Sequence, residues 1–138
     1  MIKSAAILVV DDDVDFVDMN CRVLEQAGYR VLRAYDSEQA LAKLAAEPVD
    51  LVITDLMMTS MDAGFSLAKQ IRRHSQYACV AIIMATSVTA VTGYNFRPRS
   101  EPDLAAMNVD AYFDKPIPPP ALLAKVAELL AKKKPPNP

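Results

Sequence analysis

Residues 7–16 read ILVVDDDVDF, four apolar residues running directly into three consecutive aspartates. The apolar part has the length and β-branched content of a strand buried on both faces, and the acids mark where it stops. The same kind of short apolar run recurs along the chain. AAILVV (5–10), YRVLRAY (29–35), DLVIT (50–54), VAIIMA (80–85) and AYF (111–113) all have strand length. Between them lie helical patterns. Val14, Val17, Cys21 and Leu24 are spaced three and four apart and Gly28 follows as a stop, which predicts a helix over 13–27. Ser37 is the predicted cap of a second helix that Pro48 ends. Phe65, Leu67, Ala68 and Ile71 predict a third, ending near RRH. Ser100 and Asp103 have capping-box spacing ahead of a short fourth. Pro118 to Pro120 open a fifth, with Ala121, Leu122, Val126, Leu129 and Leu130 as its apolar stripe. Strands and helices alternating five times imply a doubly wound parallel sheet covered on both faces, because right-handed crossovers place helices on each side.

The 138 residues are 52% hydrophobic, enough for one domain with a sizeable core. Residues 1–133 are assigned to it, and 134–138 to a Pro-rich tail or the start of a linker. A net charge of −2, from 15 basic and 17 acidic residues without large blocks, implies neither a nucleic-acid nor an anionic-membrane surface. The longest apolar run, CVAIIMA at 79–85, is far short of the roughly 20 residues needed to span a bilayer. No signal-peptide pattern opens the chain, and Cys21 and Cys79 have no metal-like spacing, so a soluble cytoplasmic protein with buried thiols is expected.

In such a sheet, ligands bind beyond the carboxyl ends of the strands. Those ends carry Asp11 and Asp12, Asp55, Thr86, and Lys115 followed by Pro116. Any one of these has an ordinary structural reading as a cap or loop residue. Four strand ends that together offer acids, a hydroxyl and an ammonium form a set. Carboxylates about 4 Å apart near a surface repel by roughly 4 kcal/mol per pair, so the group calls for a cation or a raised pKa. Two direct carboxylates, a backbone carbonyl and water or phosphate oxygens suit Mg²⁺ better than a calcium cage. An EF-hand reading of residues 11–22 fails at Phe16, where the turn glycine belongs, and at Arg22, where a bidentate glutamate belongs. Asp13 is expected to cap the first helix, and Asp15 and Asp18 to form a solvated acidic face.

At this point the residues resemble the receiver domain of two-component response regulators, over residues 3 to about 133. VVDDD is similar to the family's paired acids, LVITDLMM to its phosphoacceptor strand, IIMATS to its hydroxyl-bearing strand and YFDKP to its lysine with a cis-proline. The resemblance implies a flavodoxin-like sheet in the order 2-1-3-4-5. It implies that Asp55 accepts a phosphoryl group from a phosphohistidine of a histidine kinase or phosphotransfer protein. Asp12 and Asp55 would bind Mg²⁺ with the Met57 carbonyl, Asp11 helping through water. Thr86 and Lys115 would contact phosphoryl oxygens, and Tyr112 would swing inward with Thr86 as the switch. The domain would be an acceptor that assists its own phosphorylation and dephosphorylation, not an enzyme acting on a separate substrate. Phosphorylation-dependent homodimerisation or effector binding, with no direct contact to nucleic acid or membrane, is the expected output.

Two alternatives remain: a pseudo-receiver that keeps the fold and binds partners without phosphorylation, and a small Mg²⁺-dependent phosphatase that uses the same metal-carboxylate logic. The intact acid, hydroxyl and lysine set weighs against the first. Met57, standing two residues after Asp55 where a general acid belongs, weighs against the second. The connection at 88–99, VTAVTGYNFRPR, is longer than usual in the family; its Tyr94, Phe96, Arg97 and Arg99 are interface-prone types.

Overall fold

Ile7, Leu8, Val9 and Val10 have no exposed surface, so the segment that opens the chain's pattern is buried on both faces. It is one of five strands in a computed structural model that describes residues 5–55, 63–73, 80–86 and 109–132, with side chains at all of these except 63–66, 86 and 132. The elements are β1 (Ala6–Val10), α1 (Val14–Gln26), β2 (Arg30–Ala34), α2 (Ser37–Ala46), β3 (Leu51–Thr54), α3 (Ala63–Arg73), β4 (Ala81–Thr86), β5 (Ala111–Asp114) and α4 (Pro119–Lys132). All strand pairs are parallel and the order is β2-β1-β3-β4-β5. This is the sheet expected from the sequence. The helix anticipated after Ser100, the connection at 88–99 and Cys79 lie outside the described residues.

Because successive strand residues face opposite ways, the sheet divides the core in two. Ile7, Val9, Ile53 and Ile83 pack under α1 and α4 through Phe16, Val17, Cys21, Leu24, Leu122 and Val126. Leu8, Val10, Val52 and Ile82 pack under α2 and α3 through Ala40, Leu44, Leu67, Ala68 and Ile71. Each fully buried aliphatic side chain of this kind contributes roughly 1.5–3 kcal/mol relative to exposure. Among the described residues no helix is long and apolar enough to cross a membrane.

The helix ends follow their local chemistry, with two differences from expectation. Asp13 caps α1, its Oδ1 accepting from the N–H groups of Asp15 and Phe16 at 3.1 and 3.2 Å. At the other end Gly28 takes φ 98°, and the N–H groups of Gly28 and Tyr29 reach back to the carbonyls of Glu25 and Leu24. That pairing is the Schellman stop which a residue without Cβ allows. The cap of α2 is Asp36, not Ser37, which is the first helical residue. A carboxylate at 36 reaches the Gln39 N–H at 2.7 Å, while Gln39 Oε1 accepts from the Tyr35 N–H at 2.9 Å, so the reciprocal arrangement favours the earlier residue. The second difference concerns the inward face of α1. Val14 is 53% exposed, whereas Phe16 is 6% exposed. Val14 is the first residue of the helix, directly after its Asp13 cap.

At the amino edge of the sheet, acids serve the backbone. Asp50 Oδ2 accepts from the Ala6 N–H, and Asp110 Oδ2 accepts from the Ile82 N–H and from Arg72, each at 2.8 Å. The acids at the carboxyl edge have a different environment.

Candidate functional site

β1 and β3 are neighbours, and both end in aspartate. The Asp11 N–H bonds to the Ala34 carbonyl at 3.1 Å and the Asp55 N–H to the Val10 carbonyl at 3.2 Å, so the sheet's own ladder fixes where these side chains emerge. Asp11 is 0% and Asp55 6% exposed, while Asp12 lies at the surface. One carboxylate oxygen from each of Asp11, Asp12 and Asp55 falls within 4.8 Å of the others.

Lys115 enters from β5 on the far side of β4, after Asp114 and before a cis bond to Pro116. Its Nζ stands 2.6 Å from Asp11 Oδ2 and 3.2 Å from Asp55 Oδ2. The contact with Asp11 is a close ion pair whose alignment falls short of a good hydrogen bond. Asp11 Oδ1 takes the Asp13 N–H at 2.9 Å. Thr86 closes β4 in register with Asp114, which places its backbone beside the lysine. Tyr112 is half-buried, in register with Met84, and packs on the apolar cluster that includes Val10 and Val109. The structure therefore brings Asp11, Asp12, Asp55 and Lys115 together and sets the Thr86 backbone and Tyr112 on the adjoining strands. The Thr86 side chain and Met57 lie outside what is described.

One ammonium among three carboxylates leaves two negative charges uncompensated when all are ionised. Burial pushes the Asp11 carboxyl up to about 6 against the nearby Lys115 ammonium and the Asp13 N–H, which pull it down. Burial lowers Lys115, but its bonds and charge interactions with Asp11 and Asp55 outweigh that and hold it above the ordinary lysine value. Lys115 is thus a fixed positive charge, and Asp11 carries a charge the fold disfavours. All-oxygen donors, two of them buried and short of positive charge, are the donor set a hard divalent cation takes.

This predicts a pH-dependent stability. The folded state holds the Asp11 proton more tightly than the unfolded chain. The resulting stabilisation is full below 3.8, declines as pH rises and is gone above about 6. Asp11→Asn, permanently neutral, is expected to be about 2 kcal/mol more stable than wild type at neutral pH in EDTA, with the gap closing towards acid pH. Urea denaturation of both proteins across that range measures it.

Sequence reasoning missed one residue of the site. The Phe16 ring lies under Lys115, its centroid 4.3 Å from Nζ. The signal was present as an aromatic beside the α1 apolar stripe, five residues after Asp11.

An open parallel sheet with an acidic cluster and a lysine at its carboxyl edge defines a class, and comparison with known proteins places the chain within it. Residues 7–127 match the response regulator receiver domain family, to which the chain belongs. It is 37% identical over 125 residues to the transcriptional regulatory protein YvrH of Bacillus subtilis, covering 90% of this chain and 48% of that protein. It is 35% identical over 133 residues to the transcriptional regulatory protein GltR of Pseudomonas aeruginosa, covering 92% and 49%. The chain thus spans about half the length of these curated relatives. Among solved structures, the chemotaxis response regulator CheY4 of Vibrio cholerae superposes with a TM-score of 0.77 at 31% identity, covering 92% of this chain and 99% of that one.

Proposed function

We propose that this receiver domain accepts a phosphoryl group on Asp55 from a phosphohistidine of a histidine kinase or phosphotransfer protein. The observation that carries the reading is the convergence of Asp11, Asp12 and Asp55 within 4.8 Å, with Lys115 bridging Asp11 and Asp55. An Asp55 carboxylate oxygen attacks phosphorus, the phosphorus–nitrogen bond breaks with its electron pair going to the imidazole, and an acyl phosphate results. Asp12, Asp55 and the Met57 carbonyl, with Asp11 assisting, would hold Mg²⁺, which would supply positive charge to the transferring oxygens. Lys115 neutralises another phosphoryl oxygen, exchanging its present contact with Asp55 for one with the new group. Thr86 donates its hydroxyl to a third.

Drawing Thr86 and Lys115 towards the new charge biases the packing of β4 and β5, with Tyr112 as the aromatic that moves. The output is a changed surface offered to a second copy or an effector protein. The chain acts as acceptor in this scheme and assists its own phosphorylation and dephosphorylation.

The test is incubation with acetyl phosphate, followed by intact-mass measurement. One phosphoryl group is expected with Mg²⁺ and none in EDTA. Asp12→Ala should raise the Mg²⁺ concentration for half-maximal labelling about tenfold or more, because it removes a direct ligand. An unlabelled wild type would indicate a binding module without phosphorylation, and sustained phosphate release from general monoesters a phosphatase.

A further inference from the structure

We propose that Phe16 is a positioning residue for Lys115, its ring face completing, with the Asp11 and Asp55 carboxylates, a three-sided seat for the ammonium. The proposal rests on the reading of Lys115 as the cation that meets the phosphoryl group. A lysine is a point charge on a flexible four-carbon stem, and carboxylates on one side alone would draw it onto the nearer acid, Asp11. The aromatic face carries negative potential and attracts a cation within about 6 Å of its centroid, most strongly where water is excluded. At 4.3 Å the ammonium lies inside that range.

The ring is itself held. Phe16 is 6% exposed and belongs to the core cluster with Val9, Ile53, Ala85 and Ile117. Its N–H donates to Asp13 Oδ1 at 3.2 Å and its carbonyl accepts from Asn20 Nδ2 at 2.8 Å. Asp11 Oδ1 in turn takes the Asp13 N–H, so the acid edge, the helix cap, the ring and the lysine form one closed set of contacts. This gives the run of three aspartates a further consequence. Asp13 caps α1 and thereby sets the ring that seats the lysine.

A ring present only to fill the core would be replaceable by any apolar residue of similar size. The deciding experiment replaces Phe16 with phenylalanines carrying one, two and three fluorines, which keep the shape and progressively weaken the negative face, and with Leu as an aliphatic substitute. The first readout is the acetyl phosphate labelling rate at saturating Mg²⁺. It should fall in graded fashion to about one-fifth along the fluorinated series, with melting temperature unchanged, and by a similar factor in Phe16→Leu. The second readout needs neither metal nor phosphate. In EDTA, the Lys115 side-chain resonances of wild type should be shifted upfield by the ring and return to ordinary lysine positions in Phe16→Leu. A flat labelling rate across the fluorinated series, or unshifted Lys115 resonances in wild type, would overturn the proposal. Should wild type take up no phosphoryl group at all, the functional reading falls and the resonances alone decide whether the ring seats the lysine.

Discussion

Asp55→Asn is expected to reduce phosphoryl uptake from acetyl phosphate to background while leaving the fold intact. The substitution preserves size and replaces the carboxylate that ends β3 with an amide that is no longer a competent nucleophile. Neighbouring acids offer no substitute. Asp11 is fully buried and its Oδ2 is engaged by Lys115, and Asp12 projects from a different strand end at the surface. Removing one of three clustered like charges should also relieve repulsion, so the variant should melt above wild type in EDTA. Differential scanning fluorimetry beside the labelling assay separates this loss of chemistry from any loss of structure.

Lys115→Ala is expected to be the second most damaging change, and to act twice. Removing a preorganised positive group from a water-poor site where charge develops slows such reactions by about 10²–10³-fold, so labelling should be slowed on that scale but not abolished. The same change strips Asp11 and Asp55 of a partner at 2.6 and 3.2 Å. Breaking a buried pair costs about 3–5 kcal/mol when the remaining charge cannot escape. Here Asp11 can take up a proton, so a loss nearer 2 kcal/mol is expected at neutral pH, shrinking as pH falls. Single-turnover labelling and urea denaturation read the two effects separately.

The architecture was legible because strand signals here are strong and local. A run such as ILVV reads as a doubly buried strand from composition alone, and the residues closing each run then map onto one edge once the sheet is parallel. Asp11, Asp12, Asp55 and Lys115 therefore group from the sequence alone. Other features depend on tertiary context. Spacing puts Val14 on the same stripe as Val17 and Cys21, but only the folded chain shows that it stays 53% exposed. Asp36 and Ser37 are both good caps, and the choice turned on where Gln39 could reach. Phe16 belonged to no acid or lysine motif. Its role depends on a side chain 99 residues away that crosses from β5.

The central claim is that Asp55 is the acceptor, and acyl phosphates can be trapped where they form. Wild type labelled with acetyl phosphate and Mg²⁺, then reduced with borohydride, should yield homoserine at position 55 on peptide mapping and at no other aspartate. Homoserine at position 12 or elsewhere, or an unmodified Asp55 in protein whose intact mass shows a phosphoryl group, would contradict the account.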